Sequence, residues 1–439
     1  METRVGWWKR NQKWINVIMC AFMIFVSLGF CSSNKDLYMK AITDANGIPR
    51  SVYSFAYSCR FIATSITNIF FGYLVYKFGT KKLILSGFVF LIASTLTNSL
   101  ANNVFLFYLA ETLSGIGFSF CGTAMVGGII NRWCKENTGT IMGAVLAVNG
   151  IGGAIAAQIV SPIINTAGNP FGYQNAYRLV SCILLVAMVL IAILFKEKPR
   201  DEADDTPVSA KKKKRGRQWV GVDYDIVKKK AYFYGAAVCI FLTGMVLQGV
   251  GSIRAPHYSD IGIDAAYIAT VASIGSLCLT GSKFLAGFMY DKIGLRKTIT
   301  LCCGSACIYM VMMGLTTNTA VGRTMAMACS VFSAVALPLE TIMLPLYAAD
   351  LFGEKSYNKI LGLFVSFNTA GYAVGSPLIN TFFDLTGSYR AIIFILAGVM
   401  ALVMIVLQFV ISGAHKVRDE ILEAEQTQLS TNQQTSIEA

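Results

Sequence analysis

Apolar windows long enough to cross a bilayer recur from one end of this chain to the other, and that recurrence leaves few folds open. An α-helix rises about 1.5 Å per residue, so roughly twenty consecutive apolar residues span a hydrocarbon core. No water satisfies the backbone in lipid, so each window must close its own hydrogen bonds as a helix. Twelve windows meet the condition: residues 14–37, 52–76, 83–100, 104–133, 140–164 and 179–195, then 233–252, 265–290, 298–316, 321–347, 360–382 and 391–411. Only 14% of the 439 residues are charged and 55% are hydrophobic, which suits lipid rather than water as the surrounding medium. The expected fold is an all-α integral membrane protein with twelve transmembrane helices.

Lysine and arginine near the window ends set the orientation. Arg4, Lys9, Arg10 and Lys13 precede the first window, and basic residues follow the second, fourth, sixth, eighth, tenth and twelfth. The intervening loops, such as 101–103 and 316–318, are nearly uncharged. Both termini are therefore expected in the cytoplasm, and the net charge of +13 follows from topology. A nucleic-acid partner is not expected, because the cations are dispersed over loops and lack interleaved aromatics. The run "KKKKRGR" from Lys211 reads as a solvated loop, with anionic lipid head groups as the other reading. The twelve cysteines show no paired spacing on an outer loop, and Cys302, Cys303 and Cys307 fall inside the ninth window as small hydrophobes. No disulfide framework, metal site or cofactor is expected. The first apolar run is long enough to be a true span rather than a cleaved signal. Short loops and brief termini suit a bacterial inner membrane.

The chain divides at its one long polar stretch. Residues 1–195 form one six-span half, 196–232 a cytoplasmic linker, 233–411 a second half and 412–439 a polar tail. "GYLVYKFGTKK" from Gly72 recurs as "GFMYDKIGLRK" from Gly287, and "IMGAVLAVNGIGGAI" from Ile141 recurs as "ILGLFVSFNTAGYAV" from Ile360. The second pair keeps Asn149 in register with Asn368, and "SPIIN" from Ser161 returns as "SPLIN" from Ser376. Parallel repeats of this kind place a site at mid-depth between two halves that rock against each other.

The glycine and basic element resembles the loop signature of the major facilitator superfamily, G-x-x-x-D-[RK]-x-G-x-[RK]-[RK]. The second copy matches it through Gly287, Asp291, Lys292, Gly294, Arg296 and Lys297; the first has Gly72, Lys77, Gly79, Lys81 and Lys82, with Tyr76 in place of the acid. The resemblance covers the whole chain and implies two pseudo-symmetric six-helix halves. Glycines would let helix ends approach while cations meet a carboxylate and helix carbonyl ends at a cytoplasmic gate. Within the superfamily, "GIPRSVYSFAYS" from Gly47 and "NRWCKENTGTIMGAVLAVNGIGGAI" from Asn131 are similar to the monocarboxylate transporter and oxalate/formate antiporter branch.

Charges inside spans mark function or pairing, because an unpaired charge there costs on the order of 3 kcal/mol or more. Arg60 lies about 12 Å into the second span, and Glu111 stands at similar depth in the fourth, which suggests a pair. Lys283 and Glu340 repeat the arrangement in the second half. In the branch this chain resembles, a span-eight cation binds the substrate carboxylate, which implies Lys283 as an anion ligand in place of the family's arginine. Leu279 stands where monocarboxylate members carry an acid, and Asn368 with Thr369 stand where oxalate-type members carry a second cation. A monoanion is thus favoured over oxalate, and Glu340 or Glu111 would have to carry any coupling proton. Lys35 resembles the family's span-one lysine, and Arg254 with His257 sits after span seven; both cations are expected at the outer mouth. Asn149 and Asn368 are candidate ligands, with helix-to-helix hydrogen bonding as the plainer reading.

No phosphate-binding loop, zinc cluster or serine elbow is present in the sequence, so no enzyme is expected. The expected function is secondary active transport of small organic anions by alternating access, proton-coupled or by exchange, in a monomer. A proton-driven exporter of amphipathic or cationic compounds is the alternative, and a non-transporting membrane sensor is a second one.

Overall fold

The computed structural model describes residues 2–134, 138–197, 228–341, 343–352 and 357–437, and every regular element among them is a helix. Most of the expected linker, the "KKKKRGR" run included, lies outside the described residues. The first span is made of α1 (Glu2–Ile24), a π-helical stretch Phe25–Phe30, a short turn and α2 (Lys35–Asn46). Then come α3 (Arg50–Phe78), α4 (Thr80–Leu100), α5 (Val104–Cys121) with α6 (Thr123–Trp133), α7 (Thr138–Ile164) and α8 (Gly172–Leu194). The later half holds α9 (Ala231–Asp260), α10 (Ala265–Leu315), α11 (Ala320–Ala336), α12 (Pro338–Thr341), α13 (Met343–Phe352), α14 (Tyr357–Thr386) and α15 (Arg390–Ile437).

Eleven helical stretches among the described residues are long and apolar enough to cross a membrane. The twelfth expected span, α14, is thirty residues long, and Ser366, Asn368, Ser376 and Asn380 keep it out of that set. These side chains do not meet bare lipid: Asn368 and Asn380 are buried, and Ser376 accepts from Ser252 of α9 at 2.9 Å.

Sequence repeats become structural repeats. Gly79 (φ 81°) turns α3 into α4, and Gly294 (φ 78°) kinks α10 into two spans, each in backbone territory that favours glycine. In "SPIIN" and "SPLIN" the asparagines do the same work, Asn165 donating to Ser161 O and Asn380 to Ser376 O, both at 2.8 Å. The fourth and tenth spans start on side-chain caps, Asn103 accepting from Leu106 N at 3.0 Å and Thr319 from Gly322 N at 3.1 Å. Both spans also break at corresponding depth, after Cys121 and after Ala336.

Buried side chains segregate into two apolar clusters, one from Cys20 to Phe195 and one from Phe233 to Ala414. Between them runs a seam lined by α2, α3 and α7 on one side and α9, α10 and α14 on the other. Glycines let helices close in within each half: a Cβ on Gly152 would meet Phe25 O at 2.4 Å, and one on Gly371 would meet Phe241 O at 2.2 Å.

Candidate substrate cavity and its seals

A cavity of ≈ 260 Å³ opens in the seam, with Lys35, Tyr57, Arg60, Gln248, Arg254 and Ser276 in its wall. The first span reaches it through its irregular segment. The π-helical stretch and following turn re-aim the chain, so Lys35 starts a fresh helix beside the cavity. Its ammonium pairs with the Glu111 carboxylate of α5, both side chains being nearly enclosed.

That pair corrects two sequence expectations. Glu111 is matched by Lys35 rather than Arg60. Lys35 and Arg254, expected at the outer mouth, line the cavity itself. The physical reason is that both helices outrun their apolar windows: the first span continues to Asn46 and α9 to Asp260, because polar residues there face the seam instead of lipid.

Arg60 is left without a carboxylate among the described residues. It is 5% exposed, its guanidinium sits 4.7 Å from the Phe61 ring centre and 5.6 Å from that of Tyr57, and its Nη1 has no hydrogen-bond partner among them. Aromatic faces attract such a cation but do not neutralise it. Across the seam Phe61 meets Tyr372 at 5.1 Å between ring centres, and the Tyr372 hydroxyl faces the buried Glu340 carboxyl. Glu340 sits on the single turn α12, and its Oε1 lacks a partner among the described residues. Lys283, Gly287 and Asp291 lie on α10, but the side chains of Lys283 and Asp291 fall outside the described residues.

Asn149 and Asn368, offered above as ligands, are used in packing. Asn149 accepts from Ser33 Oγ at 3.0 Å, and Asn368 donates to Ile240 O at 3.4 Å, each tying a glycine-rich helix to the first span of its own half.

The bundle end away from the termini is sealed across the seam. Arg50 makes two bonds to Asp260, the Nη2 one at 2.8 Å, and a third to the Tyr389 hydroxyl at 3.1 Å. Lys40 reaches the same Asp260 at 2.6 Å. Asp384 caps α3 from the opposite half, accepting from Arg50 N and Ser51 N at 3.2 and 2.9 Å. Deeper in, Arg254 approaches Asp36 at 3.5 Å. Asp36 also lines a second cavity of ≈ 140 Å³ toward the sealed end, so this pair divides the two spaces.

Toward the termini the seam parts. The last cross-half bond among the described residues runs from Thr280 Oγ1 to Ala147 O at 3.0 Å. Beyond it Asn68, Ile69, Phe70, Gly72 and Tyr73 of α3 are exposed, while Phe71, Leu74 and Val75 pack against the core of their own half. Gly72, expected to allow a close helix approach, meets nothing within 4 Å. Lys77 lies over its own neighbours Tyr73 and Phe78, and Arg296 donates to Gln408 at 2.7 Å. The carboxylate missing from the first loop signature comes from Glu197, which accepts from Thr80 N at 2.6 Å beside Gly79. A carboxylate at the start of α4 also complements the helix dipole.

A family model of the Major Facilitator Superfamily matches residues 17–337 and, in a second match, 236–436. The multidrug resistance protein 2 of Bacillus subtilis is 24% identical over 90% of this chain and 94% of its own length. The oxalate:formate antiporter of Oxalobacter formigenes is 21% identical over 81% of each chain. The crystal structure of the nucleoside transporter NupG matches 92% of this chain with 99% of its own at a TM-score of 0.69 and 13% identity, a likeness of fold. Those names differ in cargo and agree in architecture. Twelve spans in two repeated halves, a cavity between them and the family match lead to one conclusion: the chain belongs to the Major Facilitator Superfamily and is a multi-pass membrane transporter.

Proposed function

We propose that the protein is a secondary carrier of small organic monoanions working by alternating access, a reading carried by the Arg60 guanidinium. Of the described cations on the cavity wall, Lys35 is matched by Glu111 and Arg254 by Asp36, while Arg60 has no carboxylate partner among the described residues. One positive charge is therefore left for a ligand. A carboxylate cargo would remove a desolvation cost on the order of several kcal/mol from a buried, uncompensated cation.

The basic loops put the termini in the cytoplasm. The sealed end then faces away from the cytoplasm, and the conformation described here faces inward. Glu340 is the group assigned to a coupling proton, because a buried carboxyl with no ion-pair partner among the described residues moves between states at lower cost when neutral. Lys283, on the neighbouring α10, remains the proposed second anion ligand. The carrier acts as a monomer in a bacterial inner membrane. The resemblance to a multidrug resistance protein supports a proton-driven exporter of amphipathic or cationic compounds instead, against which the unpaired Arg60 stands.

Uptake of labelled monocarboxylates into proteoliposomes, with and without an imposed pH gradient, tests the reading. Uptake in the parent and at least a hundred-fold loss in Arg60→Ala is expected. Cation flux unaffected by Arg60→Ala, with no anion moved, would replace it with the exporter.

A further inference from the structure

We infer that the cargo is an acid whose body carries several hydroxyl groups, an aldonic or sugar acid rather than a one- or two-carbon or aliphatic one. The inference rests on the anion reading of Arg60 and deepens it. Neutral polar side chains line the cavity with Arg60, and three of them stand out: Ser32 from the turn in the first span, Gln248 from α9 and Ser276 from α10. None of the three side chains has a hydrogen bond within the described protein.

The other polar side chains nearby are occupied, Ser33, Tyr57, Ser252 and Ser333 of the same wall included, the Tyr57 hydroxyl donating to Lys35 O at 3.2 Å. Ser33 donates to Leu28 O or Asn149, Ser252 to Gly249 O or Ser376, Ser273 to Ala154 O, and Ser333 to Ser330 O. The unused hydrogen-bonding capacity of the cavity wall is thus confined to Ser32, Gln248 and Ser276 among these neutral groups, and it comes from both halves of the molecule. A few converging polar groups of this kind orient a ligand.

An apolar body would take water from Ser32, Gln248 and Ser276 and return no hydrogen bond, at about 1–3 kcal/mol for each group left unsatisfied. A hydroxylated body returns those bonds, since hydroxyls donate to the Gln248 Oε1 and accept from its Nε2, and either role suits serine. Sites built to bond a hydroxyl reject analogues that lack it more sharply than apolar pockets reject an extra methylene. Size agrees. One water needs roughly 10–15 Å³ of such space, and the cavity offers ≈ 260 Å³, far more than formate or acetate fills.

Ser32 and Gln248 lie on opposite sides of the seam, so a cargo that bonds both also bridges the two halves. Its hydroxyls would report to the moving parts whether the cavity is filled.

The test is ligand-induced thermal stabilisation of the purified protein with three probes of similar length: gluconate, hexanoate and sorbitol. Binding to the folded state raises the midpoint with ligand concentration. Gluconate is expected to bind at least ten-fold more tightly than hexanoate or sorbitol, and Gln248→Leu to cut gluconate binding at least ten-fold while tightening hexanoate, which no longer leaves an amide unsatisfied. A thermal midpoint without ligand close to that of the parent shows that the variant has folded. Hexanoate binding as well as gluconate would overturn the inference and leave the anion reading intact. Sorbitol binding as well as gluconate would overturn the anion reading and with it the assignment of an acid, leaving only a polyol site. No stabilisation by any probe would overturn both.

Discussion

The two ends of the seam between the halves are built from different materials. Away from the termini, charge and polarity cross the gap: Arg50, Lys40 and Asp260 form one cluster, Asp384 caps a helix of the other half, and Asp36 meets Arg254. Toward the termini the loop elements satisfy themselves within their own half, Glu197 with Thr80 and Arg296 with Gln408. A seal made of cross-half ion pairs can be exchanged for solvated side chains. An apolar core cannot, and each half keeps its own core on its own side. On the proposed alternating-access motion, rocking would break polar contacts and spare the packed cores.

The largest expected effect comes from removing the shared carboxylate of the seal. Asp260→Ala leaves the buried Arg50 guanidinium without its carboxylate and with Lys40 close by, and uncovering such a buried charge costs about 2–5 kcal/mol. Because that penalty falls on the sealed state alone, a membrane-impermeant maleimide should modify Ser161→Cys, in the outer cavity, at least ten-fold faster in this background. Labelling of Ile69→Cys at the other end should slow. Equal rates would mean that the ion pairs do not hold the seal.

A smaller shift is expected from crowding the seam without touching charge. A Cβ on Gly150 would lie 2.1 Å from Thr280 Oγ1 and 2.3 Å from Ser276 O. Gly150→Ala therefore disfavours the sealed state by about 1–3 kcal/mol, moving the same two labelling rates in the same directions by less. A variant that labels like the parent would show that α7 and α10 slide apart at no cost.

The smallest effect tests the open end. Gly79 holds φ 81°, and Gly79→Ala should cost about 1–2 kcal/mol through backbone strain. A lower thermal midpoint with unchanged labelling at both ends is expected. Altered labelling would make the turn part of the switch rather than a fixed corner.

Much of the architecture was legible because lipid imposes simple rules. Span length, basic loops and the repeat of "GYLVYKFGTKK" in "GFMYDKIGLRK" follow from hydropathy and register. The charged residues of the cavity were legible as types and misplaced as partners. Sequence gives depth along a helix but not its face, so Arg60 was matched to Glu111 when Lys35 stands closer. Lys35 and Arg254 were set too far out because apolar windows end where a helix turns polar toward the seam. Glu197 escaped notice because it meets Thr80 from 117 positions away. Ser32, Gln248 and Ser276 gave no signal, since single neutral polar residues in a span are common and only the cavity shows which lack partners.

One distance measurement bears most directly on whether an anion at Arg60 drives the exchange between the two ends. Spin labels at Thr166 and Leu385, both exposed at the sealed end, would report the gap between the halves in a background with Cys182→Ser. Saturating anion should add a longer-distance population in the parent and none in Arg60→Ala. The same anion-dependent population in both proteins, or in neither, would contradict the assignment of Arg60 as the group that senses cargo.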